Sequence, residues 1–220
     1  PDGTLKRPGE RLENPDLAQT LRKIAKGGAD VFYTGEIAEI IAADMQANGG
    51  LLSADDLKNY QTTRCDPLWG RFRSFDIASN QPPGGGIMLI EMLQILENFD
   101  LKTLGHNSTE YIRIVAEAMK RATRDKDMFV GDPAFFDVPI DRLTDIAYAR
   151  EQADRIKAGD IASVERLNDS FPESKDTTHI AVADAAGNLV SMTHSLGMPS
   201  GIITEGLGFM YNGCMAVFDP

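Results

Sequence analysis

Thr177 and Thr178, in the run Asp176-Thr177-Thr178-His179, are the residues on which this sequence can hang a reaction. A chain cut immediately before Thr177 leaves that residue with both a β-hydroxyl and a free α-amine. The amine can take the hydroxyl proton, so nucleophile and general base share one residue and no histidine is needed. A threonine pair is also a plain strand former, and spacing alone leaves both readings open. The flanking pattern fits a β-hairpin: strand-like runs over 178–184 and 189–194 enclose Ala185-Ala186-Gly187-Asn188, where Gly and Asn are expected to supply positive φ.

A wider set of motifs joins the threonines. Thr177-Thr178-His179, followed by Val182-x-Asp184-x-x-Gly187-Asn188-x-Val190-Ser191-x-Thr193, resembles the start of the small subunit of the gamma-glutamyltranspeptidase family. Upstream, Phe32-Tyr33-x-Gly35, Gly49-Gly50, Asp55-Asp56-Leu57-x-x-Tyr60, Pro82-Pro83-Gly84-Gly85-Gly86, Glu117-Ala118-x-Lys120 and Gly131-Asp132-Pro133 resemble the family's large subunit, in its order. Members are N-terminal-nucleophile hydrolases that cut themselves at the first threonine of such a pair. The resemblance therefore implies a cleavage site between Asp176 and Thr177, with Thr177 as catalytic nucleophile. It implies that Ser195 bears the hydroxyl that hydrogen-bonds the nucleophile, and that large and small subunits derive from one precursor. The implied substrate is a small γ-glutamyl or other amide, such as glutathione, and the implied location is periplasmic or extracellular.

The sequence departs from the family pattern where the substrate's α-amino group is held. Gly197 stands at an asparagine position and Val217 at an acidic one, with Asp219 nearby as an alternative acid. Cys214 replaces a polar side chain. The family's carboxylate-gripping arginine, paired serines and oxyanion glycines lie in parts this sequence lacks. Two other readings follow: a related acylase acting on a non-glutamyl amide, and a non-catalytic scaffold or fragment. His179 and His194 are alternative base candidates, although a strand histidine commonly packs instead.

Composition narrows the classes. The 220 residues carry a net charge of −11 and 42% hydrophobic residues. That charge argues against nucleic acid and anionic membranes, which require clustered Lys and Arg, and no apolar run reaches spanning length. Two cysteines, Cys65 and Cys214, make neither a disulfide framework nor a zinc site. No carboxylate pair, metal-ligand spacing or G-x-S-x-G elbow is present, so no metal or cofactor is implied. The opening Pro1-Asp2-Gly3 and closing Phe218-Asp219-Pro220 are expected to be the ends of an internal fragment.

The elements that must position the threonines follow from caps and periodicity. Asn14-Pro15-Asp16 starts a helix with Leu17, Leu21 and Ile24 on one face. A second helix follows Thr34-Gly35 and buries Ile37, Ile40, Ile41 and Met45. Ser53-x-x-Asp56 is a capping box for a third. Residues 62–79 read as β structure. The glycine-rich loop 84–86, matching neither nucleotide-binding spacing, precedes an apolar helix over 87–96 and is read as close backbone packing. Ser108 opens a long helix with a buried stripe of Ile112, Val115, Ala116, Met119 and Ala122 and a solvated charged face, and another helix spans 141–157. His106, in the loop before the long helix, is read as structural. The expectation is a layered α/β (α+β) protein, part of an Ntn-hydrolase αββα sandwich with a helical large-subunit segment. It comprises a large-subunit-like piece, 1–176, ending in a mobile pre-cleavage loop over 158–176, and the start of a small-subunit-like piece, 177–220, within one incomplete domain.

Overall fold

Asn14 turns the chain into its first helix: its side chain accepts the Leu17 N–H while Pro15 occupies the first turn, where no N–H is needed. The computed structural model describes residues 6–164, 177–195, 197 and 199–214. Backbone contacts divide the chain into two compact units, Pro1–Thr62 with Phe171–Pro220, and Thr63–Ser170. No shift in composition marks residue 62, so no boundary is visible there in the sequence.

The first unit contains α1 (Pro15–Gly27), α2 (Asp30–Tyr33), α3 (Glu36–Ala47) and α4 (Ala54–Asn59). Ser53 and Asp56 form the expected capping box at α4. Ile37, Ala38 and Ile41 of α3 pack with Leu57 and, from far along the chain, Leu207. On α1 the buried residue is Thr20, whereas Leu21 is exposed, because the Thr20 hydroxyl is turned inward to donate to the Leu207 carbonyl. The same unit carries the antiparallel pairs β3 (Thr178–Ala183) with β4 (Leu189–His194), and β5 (Pro199–Ile203) with β6 (Met210–Asn212).

The second unit contains the hairpin β1 (Leu68–Phe72) and β2 (Phe75–Ser79), then α5 (Gly86–Leu96), α6 (Thr109–Phe129), α7 (Ile140–Leu143) and α8 (Ile146–Lys157). A Cβ at Gly86 would strike the Asn80 carbonyl, so this loop's glycine permits a close backbone approach, as the sequence suggests. The helix expected over 141–157 is instead two helices, because the Asp145 side chain accepts the Ala147 and Tyr148 N–H groups and starts a new one.

Helix α6 corrects the sequence reading most sharply. Ile112 and Met119 are about half exposed and Ala116 lies outside, while the buried face is Ile114, Glu117, Ala118, Arg121, Ala122 and Asp125. The charges expected on a solvated face point inward because each meets a partner there. Glu117 accepts the Ala162 N–H and pairs with Lys120, and Arg121 reaches Gln152 and Asp160 of the following segment. The first residues of the 158–176 segment are thus tied to α6. The remainder of that segment, with Asp176, lies outside the described residues, as do Val217 and Asp219.

Candidate functional site

Strand alternation decides which threonine meets which partner. In the β3–β4 register His179 faces Thr193, Ala181 faces Ser191, Thr178 faces His194, Ile180 faces Met192 and Val182 faces Val190. Successive side chains take opposite faces. One face therefore carries Thr177, His179, Ser191, Thr193 and Ser195, and the other carries the apolar set Ile180, Val182, Val190 and Met192 with the pair Thr178 and His194 at its open end. Thr177 lies on the hydroxyl-bearing side, and Thr178 does not.

At the open end of this hairpin the Thr177 hydroxyl donates to Ser195 Oγ at 3.4 Å, and Ser195 Oγ also accepts the Gly197 N–H at 3.2 Å. The first contact is long for a hydroxyl pair, whose usual separation is about 2.7–2.8 Å. The turn at the other end is held by Asp184, whose carboxylate accepts the Ala186 and Asn188 N–H groups and the Asn188 side-chain amide. Those bonds, the Asn188 side chain first, hold the Asp184 carboxyl below its usual range. Positive φ is needed only at Gly187, +86°. Asn188 contributes its amide to the turn rather than the left-handed conformation the sequence suggested.

Both ring nitrogens of His179 are engaged across the hairpin, Nδ1 with Thr193 Oγ1 at 3.0 Å and Nε2 with Ser191 Oγ at 3.2 Å. That packing occupies the lone pair a general base would need. His106 stacks at a tilt on Tyr111, 6.1 Å between centroids.

Two of the positions that depart from the family pattern touch each other. Gly197 has φ +69°, and a Cβ built there would lie 3.0 Å from Cys214 Sγ. An asparagine at 197 would be crowded by the sulfur. Sequence reasoning found both residues but not their contact. It also missed β5 and β6: positive-φ Gly201 interrupts the first, and Gly206 and Gly208 lie in the connection between them.

Among the described residues no group of three or more His, Cys, Asp or Glu could hold a metal ion, and no helix is long and apolar enough to cross a membrane. The buried ionisable cluster lies elsewhere, in the second unit. Glu91 is fully buried, and as a carboxylate its two oxygens have no hydrogen-bond partner. Burial, then the neighbouring Asp125 charge, pushes its carboxyl up to about 8. The Tyr148 hydroxyl donates to Asp125, and burial with that bond pushes the phenol up to about 12. The sequence reading passed over this cluster, taking 87–96 as an apolar helix although Glu91 and Gln94 interrupt it.

The family model described as Gamma-glutamyltranspeptidase matches residues 1–220. The chain is 39% identical over 226 residues to the glutathione hydrolase proenzyme of Escherichia coli (strain K12), covering 99% of this chain and 38% of that protein. It is also 39% identical over 223 residues to the acylase ACY 1 proenzyme of Pseudomonas sp. (strain SE83), covering 100% of this chain and 40% of that one. The crystal structure of cephalosporin acylase from Bacillus halodurans superposes with a TM-score of 0.76 at 28% identity, over 96% of this chain and 38% of that chain. The chain thus spans about two-fifths of the length of the curated relatives it matches. A match over the whole chain, agreeing with the ordered motifs and with curated relatives near two-fifths identity, shows that this chain belongs to the gamma-glutamyltranspeptidase family of hydrolases and transferases.

Proposed function

We propose that this chain is the nucleophile-bearing part of a threonine amidohydrolase and acyltransferase that cleaves γ-glutamyl amides such as glutathione. The observation that carries the reading is the Thr177–Ser195 hydroxyl contact on the polar face of the β3–β4 hairpin. In self-processing, Thr177 Oγ1 attacks the carbonyl carbon of Asp176, the peptide C–N bond breaks as an ester forms, and water hydrolyses the ester. The products are a carboxylate on Asp176 and a free α-amine on Thr177. That amine then takes the hydroxyl proton as Oγ1 attacks a substrate amide. The tetrahedral adduct expels the amine product and leaves an acyl-enzyme, which water or an acceptor amine resolves. Ser195, anchored by the Gly197 N–H, keeps Oγ1 oriented through both rounds. The hairpin is read as part of an αββα sandwich that the rest of a longer protein completes.

The two pieces, 1–176 and 177–220, are accordingly a large-subunit-like and a small-subunit-like segment of one precursor. Amidase activity by 1–220 alone is expected to be absent. A missing oxyanion donor typically costs about 10²–10³ in kcat, and every family donor lies outside this stretch. The test is processing: Thr177→Ala should leave one uncut chain on a denaturing gel, and Thr177→Ser should still cut slowly. Cutting of Thr177→Ala at the same bond would assign the nucleophile elsewhere.

The crowding of Gly197 by Cys214 favours a second reading, in which the acyl group lacks the α-ammonium of a γ-glutamyl substrate. A buried ammonium needs acceptors around it, and a glycine against a sulfur supplies no side-chain oxygen there. Removing one charge-assisted contact costs roughly 1.5–3 kcal/mol, about one to two decades in kcat/KM. Comparing γ-glutamyl and glutaryl anilides at one pH separates the readings. A hundredfold preference for γ-glutamyl retains the first, and near-equal kcat/KM establishes the acylase.

A further inference from the structure

The hairpin bearing Thr177 is exposed along both strands, so it does little to hold the chain after residue 176 in place. The segment 204–211 behaves differently. Leu207 is 2% exposed within the α3–α4 core, and Thr204 is 3% exposed. Phe209 lies 6.1 Å from Phe32 and 5.7 Å, edge to face, from Tyr211. We propose that residues 204–211 form a tongue that keeps the piece beginning at Thr177 attached to helices α1 and α3 once the chain is cut, with Asp44–Thr204–Tyr211 as its polar lock. The proposal takes its biological meaning from the processing reading above.

The lock has a fixed direction. The Thr204 hydroxyl donates to Asp44 Oδ2 at 2.5 Å, so its remaining contact, with the Tyr211 hydroxyl at 2.7 Å, must be accepted from tyrosine. Burial holds the Tyr211 phenol above its usual range, which keeps it a donor. Asp44 Oδ1 is taken by the Asn48 amide at 2.9 Å, so the carboxylate is pinned at both oxygens. Two further bonds run from α1 to the tongue: Thr20 Oγ1 donates to the Leu207 carbonyl at 2.9 Å, and Asn14 Nδ2 to the Gly208 carbonyl at 2.6 Å. Asn14 is at the same time the N-cap of α1, which ties the tongue to the start of that helix. All three polar bonds and the Leu207 anchor join residues before 62 to residues after 203. Release of the second piece breaks these three bonds and returns the Leu207 side chain to water. The tongue also runs into β6, which leads to Cys214 and its contact with Gly197.

The experiment uses a cut that does not depend on Thr177. In the intact protein, residues 168–174 are replaced by a site-specific protease recognition sequence on a Thr177→Ala background, with an affinity tag at the C-terminus. After protease cutting, the N-terminal piece retained by the tagged piece is followed over time under native conditions. Retention for hours is expected with the native tongue. Thr204→Val with Leu207→Ala should shorten it at least tenfold. Asn14→Ser keeps a capping side chain while deleting the amide donor, and should shorten it about two- to tenfold. Immediate separation of the native pieces, or variants that hold as long as the native tongue, would overturn the proposal. Should the double variant not fold uncut, Asn14→Ser alone decides. Because a protease makes the cut, a failure of self-processing would leave this result standing.

Discussion

The interior of the second unit and the β3–β4 hairpin reverse the usual relation between polarity and burial. Inside the helices, Arg121 is 0% and Asp125 2% exposed, while on the hairpin Val190 is 55% and Ile180 46% exposed. Glu91 apart, the charges inside have partners. Arg121 meets Gln152 and Asp160, and Glu117 meets the Ala162 N–H and Lys120. The polar face of the hairpin carries no carboxylate, only hydroxyls and one histidine bound at both nitrogens. Strongly shifted ionisable groups are a common mark of catalytic sites. Here they lie in the helical interior, and the reactive candidate is a hydroxyl at the exposed end of a hairpin.

The sharpest way to break that contrast is paired substitution. Thr177→Ala should abolish processing and leave the thermal midpoint almost unchanged, since the residue is exposed. Thr178→Ala, on the opposite face, should leave processing largely intact. Loss of cutting in Thr178→Ala with retention in Thr177→Ala would reverse the assignment of the two faces.

Arg121→Ala should do the opposite of Thr177→Ala. Removing one partner of a buried, paired charge costs up to about 3–5 kcal/mol; here Gln152 loses its donor, while Glu117 keeps Lys120 and Asp160 keeps Arg155, which places the cost toward the lower end. Urea unfolding of the Thr177→Ala background with and without Arg121→Ala measures it. A change below 1 kcal/mol would mean that this interior is solvated.

What the sequence disclosed divides along the same line. Local chemistry was readable: Asn14, Ser53 and Ser108 cap helices as their side chains dictate, and Gly187 sits in the turn. The interior face of α6 was not readable. Two apolar stripes at helical spacing, one through Ile112 and Met119 and one through Ile114 and Ala118, compete along it. The choice is made by partners on α8 and at Asp160 and Ala162. The hairpin's polar face follows from alternation alone. The contact between Gly197 and Cys214 needed three-dimensional coordinates, because it depends on a left-handed backbone and on β6.

Glu91 sets the pH response of the helical interior. Its carboxyl ordinarily titrates at 4.5 and in the folded chain at about 8. The folded state therefore keeps a proton that the unfolded state has lost between those values. This contribution is fully present below 4.5 and declines as pH rises toward 8, by up to about 1.4 kcal/mol per pH unit. Glu91→Gln keeps the shape and removes the titration, so melting curves from pH 5 to 9 should flatten relative to the native residue. Parallel curves for the two proteins would remove Glu91 from the account.

The smallest expected effect lies at Ser195, and it tests whether the hairpin's hydroxyls are more than a polar surface. Ser195 Oγ receives two hydrogen bonds, from Thr177 and from the Gly197 N–H, and both are longer than 3.1 Å. Exposed bonds of that length are worth about 0.5–1.5 kcal/mol each, so Ser195→Ala should slow self-cleavage by about two- to tenfold without abolishing it. Stability should hardly move, since no buried group is stranded. Thr193→Ala is the matched control: it also removes a hydroxyl from this face, but one bonded to His179 rather than to Thr177. Processing half-times of the two variants at one temperature and pH give the comparison. A slower Ser195→Ala beside an unchanged Thr193→Ala places the oriented contact at the reacting hydroxyl. Equal slowing would mean that the face acts only by stiffening the hairpin, and Thr177 would then be held by its backbone alone.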